Sequence, residues 1–141
     1  MINKVFLDTD VILDFLIDRE PFSSHATAIF NLAEENKISL FTSSLCIHNV
    51  HYFVRKKLGN KKALEVISEL IQMITIQCTC LDHISEAINS GFSDFEDAIQ
   101  NAVSKENGIN LILTRNIKDF KKSNLLIQSP LEFIVAQKQK K

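Results

Sequence analysis

Asp8, Asp10 and Asp14 follow one short apolar run, Asp94, Glu96 and Asp97 fall at a helix start, and Thr114, Asn116 and Asp119 follow another apolar run. Carboxylates gathered in one place repel one another, so they hold protons or hold a cation, and hard oxygen ligands of this kind select Mg²⁺ or Mn²⁺. A divalent ion held this way acidifies a water and stabilises charge on a phosphodiester oxygen during in-line attack. Phosphoryl chemistry is therefore the expectation, and it needs no nucleophilic side chain.

For these residues to meet, the chain must carry them to one rim. Val5-Phe6-Leu7 stops abruptly at Asp8, and Leu111-Ile112-Leu113 stops at Thr114-Arg115-Asn116. Short, non-alternating apolar runs with a polar carboxyl end predict strands buried on both faces of a parallel sheet. Residues 38–41, 74–78 and 125–127 predict further strands. Helical spacing fills the intervals: residues 10–17, 24–36, 43–58 closed by Gly59, 60–73 capped by Asn60, and 82–90. A Ser93–Glu96 capping box opens the next helix, Asn107-Gly108 stops it, and Pro130 opens a terminal helix at its first position. The expected fold is α/β: a three-layer α/β/α sandwich around a mostly parallel sheet of four to five strands. It is read as a single domain over residues 1–136 with a frayed basic tail at 137–141. Ligands of such sheets bind outside the carboxyl ends of the strands, where Asp8, Thr114, Asn116 and Asp119 are placed, with Asp94 and Asp97 sharing one stripe of a neighbouring helix.

Each acid also has a purely structural reading. Asp94 complements a helix dipole, Glu96 closes the capping box, Asp8 suits an N-cap, and Asp14 and Asp18 are expected on a solvated face. Asp97 lies one turn in, where those explanations weaken. His48 and His51 are three apart but lack a third soft ligand, and Cys78 and Cys80 lack zinc-knuckle spacing, so neither pair is expected to hold metal. Three cysteines without framework spacing suit a reducing cytosol, and neither a membrane span nor a signal peptide is legible.

The formal net charge of −1 hides a sorting of charges along the chain. Residues 1–36 carry 2 bases and 7 acids, 37–62 carry 6 bases and no acid, 63–104 carry no base and 7 acids, and 105–141 carry 8 bases and 3 acids. The run Arg55, Lys56, Lys57, Lys61 and Lys62 is a solvated helix end and also a candidate contact for a phosphate backbone, as is Arg115.

Taken in order, Val5-Phe6-Leu7-Asp8-Thr9-Asp10-Val11-Ile12-Leu13-Asp14, then Asp94-Phe95-Glu96-Asp97-Ala98, then Leu113-Thr114-Arg115-Asn116 with Asp119-Phe120, resemble a PIN-domain nuclease over about residues 3–135. That family includes toxin ribonucleases of bacterial toxin–antitoxin pairs. The resemblance implies that Asp8 and Asp97 hold the metal, that Thr114 and Asn116 order the rim, that Asp119 is a further acid, and that Asp10 supports Asp8; Asp94, on the same helix stripe as Asp97, is a further candidate metal ligand and catalytic group. It implies an RNA substrate and, for a toxin, a small antitoxin that inserts an Arg or acidic side chain into the rim, the pair dimerising. The chain departs from the family where Asn49 stands in place of a glutamate, and Asn116 stands where an Asp is common; both reduce the charge available to a metal.

Two other readings stand beside this one. A PIN-like fold short of ligands can bind RNA or protein through its basic blocks without catalysis. Val5–Val11 is also similar to the opening of haloacid-dehalogenase-like phosphatases, with Asp8 as nucleophile, Asp10 as acid and Thr42 or Ser43 following a second strand. Those enzymes want paired acids at a late strand end, whereas the late strands here end at Cys78 and Thr114.

Overall fold

The computed structural model describes residues 3–140 of the chain. Five strands, β1 (Asn3–Leu7), β2 (Ile38–Ser43), β3 (Thr75–Gln77), β4 (Leu111–Leu113) and β5 (Leu126–Gln128), form one sheet in the order β3-β2-β1-β4-β5. Every pairing is parallel, so the sheet reaches the upper end of the expected strand count.

Alternation along β1 divides the core. Val5 and Leu7 pack with Val11, Ile29, Leu40 and Val50 on one side, while Phe6 packs with Ala98, Val103, Ile112 and Phe120 on the other. The first layer holds α1 (Thr9–Leu16), α2 (Ser23–Glu34), α3 (Ser44–Leu58), α4 (Asn60–Leu70) and α7 (Pro130–Gln139). The second holds α5 (Leu81–Ile88), α6 (Phe95–Glu106) and a 3₁₀ turn at Ile117–Phe120. Complete burial of a side chain of this size stabilises by about 1.5–3 kcal/mol, and Val5, Phe6, Leu7, Ile112 and Leu113 are all wholly inaccessible. No helix among the described residues is long and apolar enough to cross a membrane.

β2 runs two residues further than its apolar stretch implies. Thr42 and Ser43 remain in register with β3 because their hydroxyls are satisfied inside the fold: Thr42 Oγ1 donates to the Leu7 carbonyl at 2.8 Å, and Ser43 Oγ donates to Gln100 Oε1. Ser43 also caps α3 by accepting from the Cys46 N–H. Between α3 and α4, Gly59 sits at φ 85°, a conformation that favours glycine, and this turns the chain without a side-chain cap from Asn60.

α6 departs from its expected start. Asp94, not Ser93, is the N-cap, accepting from the Asp97 N–H at 2.9 Å. Glu96 is thereby released from a capping box. The terminal helix does carry one, with Ser129 and Glu132 closing on each other's backbone and Pro130 at the first position, and it continues to Gln139. Lys141, the last residue of the proposed tail, lies outside the described residues.

The order of strands decides where a ligand can sit. From β1 the chain moves to β2 on one side and later to β4 on the other, so the switch point of the sheet lies at the carboxyl ends of β1 and β4. Asp8 and Thr114 are the first residues beyond those ends.

Candidate active site

Asp8 is fixed from three directions. Its N–H donates to the Leu113 carbonyl at 3.0 Å, continuing the β1–β4 ladder. Its Oδ1 accepts from the Thr9 N–H at 2.8 Å, making it the N-cap of α1, and its Oδ2 accepts from Thr114 Oγ1 at 2.9 Å. Thr114 Oγ1 in turn accepts from the Asn116 N–H at 3.0 Å, which commits its own proton to Asp8. The structural and functional readings of Asp8 are therefore compatible: the cap uses one oxygen and aims the carboxylate. Arg115 N–H donates to Asp10 Oδ2 at 2.9 Å, so consecutive residues of the β4 exit hold the two aspartates that follow β1.

α6 supplies the other side. Asp97 is buried, while Asp94 at the cap is exposed. Carboxylate oxygens of Asp94, Asp97 and Asp119 lie within 4.8 Å of one another. Burial, followed by the charges of Asp8, Asp94, Asp119 and Glu96, pushes Asp97 up to about 8. Burial and then the charge of Asp10 push Asp8 up to about 7, against the opposing hydrogen bonds from Thr114 and Thr9. Asp10 is raised chiefly by burial, and Glu96 by burial and then by Asp94. The acids from β1, α6 and the 3₁₀ turn thus feel one another across chain segments that are remote in sequence.

Asp8, Asp10, Asp94, Glu96 and Asp97 meet at a cleft of about 740 Å³ that Asn49 and Asn116 also line, while Asp119 is not part of its wall. Hard oxygen donors predominate, which suits Mg²⁺ or Mn²⁺ over softer ions. Asp10 Oδ1 is buried with no hydrogen-bond partner among the described residues, and Asp97 faces four other carboxylates whose charges all raise it. Both features are met by a cation. The buried Cys46 thiol, pushed up to about 12 chiefly by burial and then by Asp8, is no nucleophile.

Glu96 takes an unexpected place. Released from capping, it accepts from Asn49 Nδ2 at 2.7 Å. The cleft therefore has a carboxylate held beside Asn49. Asp14, expected on a solvated face, is wholly buried, because Arg19 and Arg115 fold over it; periodicity within one helix carries no trace of Arg115, which is 101 residues away. The guanidinium of Arg115 is thus engaged by Asp14, although it also lines the cleft. Arg55, Lys56, Lys57, Lys61 and Lys62 are exposed at the α3–α4 junction and are not part of the cleft wall. They adjoin it through α3, whose His48, Asn49, Tyr52 and Phe53 do line it, with Lys56 Nζ 5.3 Å from the Tyr52 ring centroid. Tyr52 and Phe53 are three and four residues beyond Asn49, so helical spacing could have found them. Arg19, in the loop after α1, had no comparable signal.

Residues 4–118 match the family model described as PIN domain. The chain belongs to the PIN-domain family. This PIN domain is 32% identical over 136 residues to Ribonuclease VapC1 of Aquifex aeolicus (strain VF5), a match covering 93% of each chain. Among solved structures it is similar to VapBC2 from Rickettsia felis bound to a DNA fragment from its promoter, with a TM-score of 0.70, 14% identity and 89% of this chain and 98% of that one covered. It is also similar to DNA-bound VapBC from Salmonella typhimurium, with a TM-score of 0.69, 16% identity and coverage of 92% and 99%. These structural likenesses establish the fold. The PIN fold also answers the phosphatase reading, since β3 and β4 lead to Cys78 and Thr114 and bring no paired acids.

The raised acids make stability depend on pH. Between the ordinary carboxylate value near 4 and the folded values of about 7 and 8, Asp8 and Asp97 carry protons in the folded chain that the unfolded chain has released. Stability of the metal-free protein should therefore fall as pH rises across that window, reaching its low point above pH 8. Thermal unfolding in EDTA at pH 5 and pH 8.5 should show a Tm lower by about 5 °C or more at the higher pH, and a Tm that rises instead would contradict the burial of these two acids.

Proposed function

We propose that this PIN domain is a ribonuclease that hydrolyses RNA phosphodiester bonds with the help of Mg²⁺ or Mn²⁺, and that it is the toxin of a toxin–antitoxin pair. The observation that carries this reading is the convergence of Asp8 and Asp97 from opposite sides of a cleft, both pushed far above the ordinary carboxylate range. Such a pair gains most by sharing a cation. A divalent ion bound there supplies Lewis acidity toward a phosphodiester oxygen and acidifies water. Asp8 and Asp97 would hold it, with Asp94 and Asp119 within reach of Asp97. Thr114 and Asn116 keep the Asp8 carboxylate aimed, and Asp10, tied to the Arg115 backbone, adds negative charge behind it.

The similarity to Ribonuclease VapC1 and to VapBC assemblies supports RNA as substrate and an antitoxin as partner, with the pair dimerising. The exposed lysines and arginine at the α3–α4 junction suit the RNA backbone, and the exposed rings of Tyr52 and Phe53 in the cleft suit base stacking.

Glu96 bears on the departure at Asn49. Its carboxylate, fixed by the Asn49 amide, restores negative charge on that wall of the cleft. Glu96→Gln should weaken Mn²⁺ binding about tenfold by titration calorimetry while moving Tm in EDTA little; unchanged Mn²⁺ affinity would show that Glu96 serves only to anchor Asn49.

In cells, induction of this chain alone should arrest growth and produce RNA fragments, and Asp97→Asn should relieve both. Growth arrest that persists with Asp97→Asn would favour a non-catalytic binding protein acting through its basic surface.

A further inference from the structure

Asp14 lies on α1 with its side chain wholly inaccessible, gripped by two guanidinium groups. Arg19 Nε donates to Oδ1 at 2.8 Å, Arg115 Nε donates to Oδ2 at 2.8 Å, and Arg115 Nη2 donates to Oδ1 at 3.1 Å. Arg19 Nη2 also donates to the Asp10 carbonyl at 3.1 Å, and the Arg115 guanidinium lies 3.8 Å from the centroid of the Phe22 ring.

One carboxylate is fully matched by one bidentate arginine. The second guanidinium places two like charges side by side, with the Asp10 carboxylate also acting on Arg115. Each guanidinium has five N–H donors, so the contacts above leave several unused on both residues. Arg19 and Arg115 remain 34% and 28% exposed, and both line the cleft that contains Asp8 and Asp97. Asp14, Phe22 and the Asp10 carbonyl hold the two forks still, so their entropy is already spent before a ligand arrives. A fixed pair of planar forks with free donors is suited to an anion of phosphate geometry.

We propose that Arg19 and Arg115, positioned by Asp14, form a clamp for a backbone phosphate of RNA next to the one that occupies the acidic centre. This rests on the reading of the cleft as a ribonuclease site and adds to it a fixed register. Thr114 orients Asp8 while its neighbour Arg115 carries the clamp, so two residues about 3.8 Å apart at Cα tie the phosphate-holding and metal-holding halves together. The flexible lysines at the α3–α4 junction cannot set such a register.

The chain contains three arginines, Arg19, Arg55 and Arg115, which makes a direct observation practical. The ¹⁵N-labelled wild-type protein is titrated with a short oligouridine in EDTA at low salt, following the arginine Nε–H signals. The Arg19 and Arg115 signals should shift together and saturate with the midpoint of binding measured by fluorescence anisotropy. If Arg55 and α3 backbone signals shift while those of Arg19 and Arg115 stay still, RNA binds but the clamp is refuted. If nothing shifts, the RNA reading of the cleft fails along with it. Arg19→Gln gives a second test: KM for RNA should rise about tenfold, as for loss of one charge-assisted hydrogen bond, with kcat nearly kept. The slope of log affinity against log salt should also become shallower by about 0.7. A lowered Tm with unchanged KM and salt slope would assign the arginine pair to stability alone.

Discussion

Asp97→Asn should lower RNA cleavage by a thousandfold or more, about 4 kcal/mol of transition-state stabilisation, and at the same time should make the metal-free protein more stable at pH 8.5. The two effects have one origin. Asp97 is buried among Asp8, Asp94, Asp119 and Glu96, a placement that penalises its charge when no cation is present. The amide keeps nearly the same shape but removes the charge, so above pH 8 the variant should gain about 2 kcal/mol, or about 6 °C in Tm. Below about pH 4, where the wild-type acid is protonated in the folded and unfolded chain alike, the gain should vanish. Asp8→Asn should behave alike in activity, with less stabilisation because an amide offers the Thr9 N–H and Thr114 hydroxyl only one acceptor oxygen. A variant that loses activity without gaining stability at high pH would place Asp97 outside the repelling cluster.

The second large effect concerns folding. Asp14→Ala removes the anion between Arg19 and Arg115 and leaves two guanidinium groups beside an emptied, formerly buried position. Breaking a buried ion pair from one side costs about 3–5 kcal/mol, which for a chain of this size lowers Tm by roughly 10 °C. Thermal or urea unfolding measures this directly. A loss below about 1 kcal/mol would mean that the arginines find other partners with ease, and would weaken the case that Asp14 fixes them.

The sequence was most legible where one element explains itself. Val5-Phe6-Leu7 and Leu111-Ile112-Leu113 are too apolar to tolerate a wet face, and their abrupt ends at Asp8 and Thr114 marked the rim of the sheet. Asp97 stood out because, with Ser93 expected as the cap, it fell beyond the capping box; with Asp94 as the cap it is the third residue of α6, and its burial facing Asp8 is what distinguishes it. What stayed hidden depended on contacts between distant segments. Asp94, not Ser93, caps α6, and Glu96 pairs with Asn49, 47 residues earlier. Asp14 looked solvated because its partners lie in the loop after α1 and beyond β4. Arg115 looked like a free phosphate contact, and its ion pair with Asp14 shows how it can instead be a fixed one.

The departures at Asn49 and Asn116 also gain a physical meaning from these contacts. Asn116 contributes its backbone N–H to the hydroxyl that orients Asp8, a task any residue with an amide proton can do. Asn49 contributes its side-chain amide to Glu96. Glu96 on α6 thus keeps a carboxylate on that wall of the cleft beside Asn49.

The central claim is that this acidic cleft cuts RNA only when a divalent cation neutralises it. Purified protein, treated with EDTA and then supplied with Mg²⁺ or Mn²⁺, is incubated with labelled single-stranded and structured RNA beside Asp8→Ala and Asp97→Ala. Cleavage should appear with metal, vanish in EDTA and vanish in both variants. RNA bound equally well with and without metal, and never cut in either, would contradict the account.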